Sequence, residues 1–285
     1  MKYAKFCALF LVLVGICALQ ARADTGSFDR TLQVSGPVDL DVTTGSGNIT
    51  VRTGASGSVH VVAKIRAHDS WTGISAAEKI RRLEANPPIE QQGNTIRIGY
   101  IEDRDLRNNI SIDYDLTVPA QTKLGSHTGS GNQSVKGLQL PVTANTGSGN
   151  VTVEDISGDV NASSGSGDLK INSVKGDLKG QTGSGNVEMR GIKGGVRVHT
   201  GSGDVRVEGE PTGDWRVGTG SGSIEVKVPS GLPFNLDAKT SSGELTIHHP
   251  LTVEGTVSRN HLQGKVGNGG VLLDLHTGSG NIEVD

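Results

Sequence analysis

Residues Thr146 to Val153 read TGSGNVTV, and this phrase decides the fold because it returns at a fixed interval between His127 and Val228. Its first glycine falls at Gly129, Gly147, Gly165, Gly183, Gly201 and Gly220; the first four intervals are 18 residues and the last is 19. A fainter half-repeat puts an apolar residue every nine positions, at Val151, Val160, Leu169, Leu178, Val187, Val196 and Val205. Repetition this short is the mark of a solenoid, in which no unit can bury a core alone and neighbours must stack.

Each unit carries two apolar residues around a polar one, as in Val151-Thr152-Val153, Leu169-Lys170-Ile171 and Val187-Glu188-Met189. That is the period of a strand with one face buried. A third apolar residue follows three positions later, at Ile156, Val174 and Ile192. The expectation is an all-β fold, a single-stranded β-helix or β-solenoid with 18-residue coils and two short strands per coil. About six coils between His127 and Val228, at ~4.8 Å per stacked strand, would make a pile roughly 28 Å tall. The glycines are expected to supply positive φ at the turns. The residue after each Gly-Ser-Gly (Asn132, Asn150, Asp168, Asn186, Asp204) is expected to hydrogen-bond turn backbone and to stack as a ladder.

Aligning the coils also aligns the outward residues. One column reads Thr152, Lys170, Glu188, Arg206, Glu225, and another reads Glu154, Asn172, Arg190, Glu208, Lys227. Both mix signs, and opposite charges facing across strands contribute roughly 0.2–1 kcal/mol each. The other strand of the coil differs: its middle position reads Asn161, Lys179, Arg197, Arg216, beside a turn column of Asp159, Asp177 and Asp214. Stacked like charges repel. Lys179, Arg197 and Arg216 are therefore the candidate face for an anionic polymer, the competing account being that the neighbouring aspartates neutralise the row.

Outside the repeat, Lys2 and Lys5, an apolar run from Phe6 to Leu19 and Ala21-Arg22-Ala23 form a secretory signal peptide over 1–23. Export follows, to the periplasm, the outer surface or the medium. The run is too short for a transmembrane helix, so none is expected in the mature chain. Cys7 and Cys17 both fall in the signal, leaving residues 24–285 without a disulfide or a thiol ligand. Loss of Lys2, Lys5 and Arg22 takes the basic count from 27 to 24 against 30 acids, a net charge of −6, which argues against nucleic acid as a partner.

The mature chain divides into an opening coil, an insertion or cap at about 54–126, regular repeats at about 127–228 and looser C-terminal coils at 229–285. The opening coil carries Leu40-Asp41-Val42 and Ile49-Thr50-Val51 around a Gly-Ser-Gly-Asn. The insertion contains strands near 59–65, 95–100 and 110–118 and one short helix. That helix starts at Ser75 with Glu78 three residues on, a capping box, and stops before Pro87-Pro88.

Catalytic and metal chemistry find little support. Calcium solenoids place carboxylates in the turn, but amides fill half of the Asn/Asp column here, and hard cations want several oxygens. A carbohydrate-active β-helix enzyme needs paired carboxylates in a groove, and Trp71, Trp215, Phe28, Phe234, Tyr100 and Tyr114 share no coil register. His248-His249 is a weak metal pair whose rings are expected on opposite faces. No Gly-Ser-Gly leads into Gly-Lys-Ser/Thr, so the phosphate-loop reading fails on context. No cofactor is expected.

The repeated TGSGN/D phrase, Leu116 to Pro119 leading into Lys123-Leu124, the capped helix with Ile96-Arg97-Ile98 after it, and the terminal Gly269 to Asn281 together resemble the bacterial putative-adhesin family of secreted or envelope β-strand-repeat proteins. The resemblance spans most of the chain. It implies the repeat fold and brings no catalytic residues with it. The expectation is a non-enzymatic exported β-solenoid, an adhesin or cell-envelope scaffold presenting a repetitive surface to envelope or surface polysaccharide or to another surface protein. The alternatives are the carbohydrate-active enzyme and a calcium-binding repeat protein.

Overall fold

The computed structural model describes residues 24–69, 73–253 and 258–285; the expected signal peptide and Trp71 lie outside them. The described strands form one 23-stranded sheet that folds back on itself around a narrow apolar core. Two faces result. The front contains Val142–Ser148, Val160–Ser164, Leu178–Ser184 and the second halves of Val187–Ser202 and Val205–Ser221. The back contains Val151–Ile156, Leu169–Val174 and the first halves of those two long strands.

Pairing along each face is parallel and joins equivalent positions. On the front, Val142 faces Val160, Val160 faces Leu178 and Leu178 faces Val196. On the back, Val151 faces Leu169, Leu169 faces Val187 and Val187 faces Val205. The single 19-residue interval is absorbed by register shifts between Met189 and Ile192 and between Gly194 and Val196, after which Val196 faces Trp215. Trp215 is fully buried there and donates its indole N–H to the Gly194 carbonyl at 2.9 Å.

The alternating apolar residues point inward as expected, and Ile156, Val174 and Ile192 are buried with them. A left-handed residue just before each makes that possible: Asp155 (φ 57°), Ser173 (φ 57°) and Gly191 (φ 63°). After Val153 points in and Glu154 out, this twist turns the next side chain back inside. Ala144, Ala162 and Gly180 face the core in one column, and the Met189 methyl lies 2.7 Å from where a Cβ on Gly180 would stand. Methionine fills the space that glycine leaves.

Both stack ends depart from chain order. Val38–Ser46 lies between Thr95–Ile98 and Thr122–Ser130, and Ile49–Thr53 lies between Ile110–Val118 and Gln133–Lys136. The opening coil thus lies between strands of the insertion and the first regular coil. At the other end the terminal coil, Val271–Ser279 and Ile282–Val284, lies between the coil ending at Ile224–Lys227 and the coil of Phe234–Ser242 and Leu245–Ile247. The first and last coils in sequence are interior layers.

Antiparallel strands finish the stack. Asp24–Gln33 pairs with Ser58–Ala67, which pairs with Ile110–Val118; at the far end His261–Val266 pairs with Phe234–Ser242 and carries Leu251–Val253. Helix Ala76–Ala85 covers the first group, with Ser75 Oγ accepting from the Glu78 N–H at 3.3 Å and Ile80 and Leu83 buried. The insertion holds a second helix that sequence reading passed over, the single turn Arg104–Arg107 capped by Asp103. One turn is too short to show a helical period. Among the described residues no helix is long and apolar enough to cross a membrane.

Candidate functional site

The Thr-Gly-Ser-Gly-Asn phrase builds the seam between layers. Its threonine is buried, and the hydroxyl donates to a glycine carbonyl of the layer before: Thr146 to Gly131 at 3.0 Å, Thr182 to Gly167 at 2.9 Å, Thr200 to Gly185 at 3.0 Å. Its Asn or Asp works between layers too. The Asn132 oxygen accepts from the Asn150 N–H at 2.9 Å, Asn150 from Asp168 at 2.9 Å, Asp168 from Asn186 at 2.8 Å and Asn186 from Asp204 at 3.0 Å. The expected ladder is present, bonded to the next coil instead of to its own turn.

The glycines need correcting in the same way. Positive φ occurs at Gly47, Gly203, Gly222 and Gly280, but Gly185 is outside that region. What excludes a side chain at Gly185 is its neighbour: a Cβ would lie 2.2 Å from the Gly167 carbonyl oxygen. The layers touch backbone to backbone at these columns.

On this rigid frame the two outward faces carry different charge patterns. On the back, Lys136 pairs with Glu154 at 3.1 Å, Glu188 pairs with Arg190, Arg206 bonds Glu225 through Nε at 2.7 Å, and Lys227 bonds Glu225 at 3.1 Å. The Arg206 hydrogen bond is the main reason the Glu225 carboxyl sits below the usual carboxylate range. Lys170 is the back-face cation of this group without such a partner among the described residues.

On the front, Asn161, Lys179, Arg197 and Arg216 stand directly opposite one another in successive strands, all exposed. Lys179 and Arg197 make no ion pair or side-chain hydrogen bond among the described residues; Arg216 reaches Asp214 at 3.4 Å. The acidic turn column lies alongside, with one oxygen of each carboxylate engaged by backbone of the following layer. Asp159 accepts from the Asp177 N–H at 2.9 Å, Asp177 from the Gly195 N–H at 2.9 Å and Asp214 from the Leu272 N–H at 3.1 Å. These aspartates knit turns together while two of the three cations stay open to solvent.

A shallow groove of about 560 Å³ follows this row and is lined by Asn161, Lys179, Arg197 and Arg216 together with the three aspartates. Gln181 and His199 point outward on the next position of the same strands. At one end the row meets acid, since Arg216 faces Asp274 and Asp274 faces Asp237. Sequence reading found the cations and the turn aspartates. It missed this acidic stop, because Asp274 becomes a neighbour of Arg216 only through the inserted terminal coil.

Among the described residues no aromatic side chain lines the groove. Phe28, Tyr114, Trp215 and Phe234 are buried, and Tyr100, 44% exposed, lies at the capped end with its hydroxyl on Asp41 at 3.0 Å. The two adjacent histidines separate: His248 pairs with Asp285 at 2.7 Å, and the His249 ring packs edge-on to Phe234 at 5.3 Å between centroids. His248, Glu283 and Asp285 keep one ligand atom each within 4.8 Å of the others.

Residues 38–285 match the family described as Toastrack DUF4097. The chain belongs to that family. Solved structures similar to this Toastrack chain include a putative adhesin from Bacteroides fragilis, with 15% identity, TM-score 0.47, 91% of this chain covered and 97% of that one. A putative lipid binding protein from Parabacteroides distasonis has 13% identity, TM-score 0.42 and the same coverage, 91% and 97%. No curated protein matches this Toastrack chain.

Proposed function

We propose that this protein is a non-enzymatic, exported component of the cell envelope, an adhesin or scaffold whose front face holds an anionic polymer. The observation that carries the reading is the row of Lys179, Arg197 and Arg216 along one groove, in a chain that pairs several equivalent cations on its other face. Envelope or surface polysaccharide is the partner class with the most suitable chemistry. The net charge of −6 for residues 24–285, derived from 24 basic and 30 acidic residues, disfavours bulk attraction to nucleic acid. Export rests on the signal sequence at 1–23.

The chain winds in this reading as a single-stranded solenoid of 18-residue coils, supported by the register of Val142 with Val160 and of Val151 with Leu169. Such a stack multiplies one weak contact along its length. A non-enzymatic role is supported by the groove's make-up: each of its three aspartates spends one oxygen on a backbone N–H of the following layer, a role in holding the stack together. The test is binding of the mature protein to acidic polysaccharide at low salt, comparing wild type with Lys179→Glu, Arg197→Glu and Arg216→Glu combined. Salt-sensitive binding that the triple variant loses while keeping its melting temperature is expected, because exposed contacts are screened; absence of binding by wild type overturns the reading.

A further inference from the structure

We infer that the front groove selects its polymer by charge spacing, taking a linear polysaccharide with one carboxylate on every sugar, laid parallel to the stack axis over three charges. The inference rests on the reading just given and specifies the ligand of that same site.

Cations on successive parallel strands are separated by the strand spacing, ~4.8 Å. Lys179, Arg197 and Arg216 occupy consecutive strands at one register position, so the row repeats at that distance. A linked pyranose in an extended chain advances by close to the same amount; successive rings turn their carboxylates to alternate edges of the chain, so the long, exposed Lys and Arg side chains would reach to either edge for one cation to meet each sugar. Other polyanions do not fit this repeat. An extended acidic peptide puts same-face carboxylates two residues apart, about 6.6 Å, and duplex nucleic acid carries one charge per about 1.7 Å of axis. Two of the three cations are arginines, whose planar fork suits a carboxylate.

The surroundings fix position and length. Asp159, Asp177 and Asp214 hold their places through backbone N–H groups of the following layers and form an acidic wall beside the row, which confines an anionic chain to the line of cations. Asp274 and then Asp237 close one end. Beyond Lys179 the column continues as Asn161 and Thr143, polar and uncharged. Gln181 and His199, exposed beside the cations, offer hydrogen bonds to ring hydroxyls.

The test uses homouronate oligosaccharides of increasing length, a polysaccharide charged on alternate sugars, and poly-glutamate, all against the mature protein at low salt. Affinity should rise on the order of threefold per added uronate through the trimer, as exposed ion pairs allow, and then level off. The alternately charged polymer and poly-glutamate should bind more weakly at equal charge. Asn161→Lys, at an exposed position in register with Lys179, should move the plateau from three sugars to four. Equal binding of all three polyanions, or a plateau that Asn161→Lys leaves in place, overturns the spacing rule while leaving the broader anionic-face reading standing. Failure of wild type to bind any of them overturns both.

Discussion

The front and back faces are built on the same coils and the same layer spacing, yet they treat charge in opposite ways. On the back, Glu188, Arg206 and Glu225 alternate in sign along the stack, and Lys227 and Arg190 add further pairs. On the front, Lys179, Arg197 and Arg216 are three like charges in register, with one long contact to Asp214. Backbone geometry cannot cause the difference, because the pairing is parallel and in register on both faces. Side-chain choice causes it. The back shows that this fold readily accepts alternation, so the front row carries repulsion that an external anion would relieve.

The largest expected effect tests the frame common to both faces. Gly185→Val would drive a side chain into the Gly167 carbonyl, 2.2 Å from the new Cβ. A loss of roughly 3 kcal/mol or more is expected, in the range of severe overpacking. At the first glycine of the phrase, a Cβ on Gly183 would lie 2.6 Å from the Gly165 carbonyl oxygen, whereas its equivalent Gly45 has nothing within 4 Å of a Cβ. Gly45→Ala should leave the melting temperature nearly unchanged. Gly183→Ala should destabilise, and equal losses for Gly183→Ala and Gly45→Ala would show that turn conformation, and not contact between layers, fixes these glycines.

Next in size is the ladder. Asn186→Ala removes the acceptor for the Asp204 N–H at an exposed edge and should cost about 1 kcal/mol, the worth of a typical hydrogen bond. Denaturant midpoints measure it, and no change would mean that water replaces the bond at no cost.

The contrast between the faces predicts changes of opposite sign for one chemical substitution. Arg197→Glu places an acid between Lys179 and Arg216 and should stabilise by a few tenths of a kcal/mol. Arg206→Glu breaks the alternation between Glu188 and Glu225 and should destabilise by a similar or larger amount. Two shifts of the same sign would remove the distinction drawn between the faces.

The smallest effect depends on pH. Glu225 has a folded-state pKa below its unfolded value, chiefly because of the Arg206 hydrogen bond. Its contribution is therefore present at neutral pH and lost as pH falls through the folded value. The group is half-buried at the outer face with 23% of its side chain accessible, and solvent screening there holds the effect to about a few tenths of a kcal/mol. Glu225→Gln should lower stability at pH 7 and match wild type in strong acid; a difference that persists there would point to packing.

Much of this was legible in the sequence, for a physical reason. Parallel in-register stacking places residue i beside its equivalent in the next unit, so a repeat interval becomes a contact list once it is recognised. The inward valines, the Asn/Asp ladder and the row of Lys179, Arg197 and Arg216 all follow from that rule. What escaped is what the interval does not encode. Val271–Ser279 enters beside Val205–Ser221 ahead of Phe234–Ser242, and only tertiary pairing reveals this, along with the Asp274 stop it brings to the row. The left-handed Asp155 and Ser173 hid behind ordinary residue types. The burial of Trp215 escaped too, since the extra residue that sets it opposite Val196 is taken up by register shifts around Gly194.

The most direct test of the central claim compares two triple variants for binding to a homouronate polysaccharide at low and high salt. One carries Lys179→Glu, Arg197→Glu and Arg216→Glu on the front; the other carries Lys136→Glu, Arg190→Glu and Arg206→Glu on the back. Both change net charge equally, so a diffuse field would weaken binding alike in the two. The account predicts that wild type and the back variant bind in a salt-sensitive way and that the front variant does not. Equal binding by the front variant, or none by wild type, would contradict it.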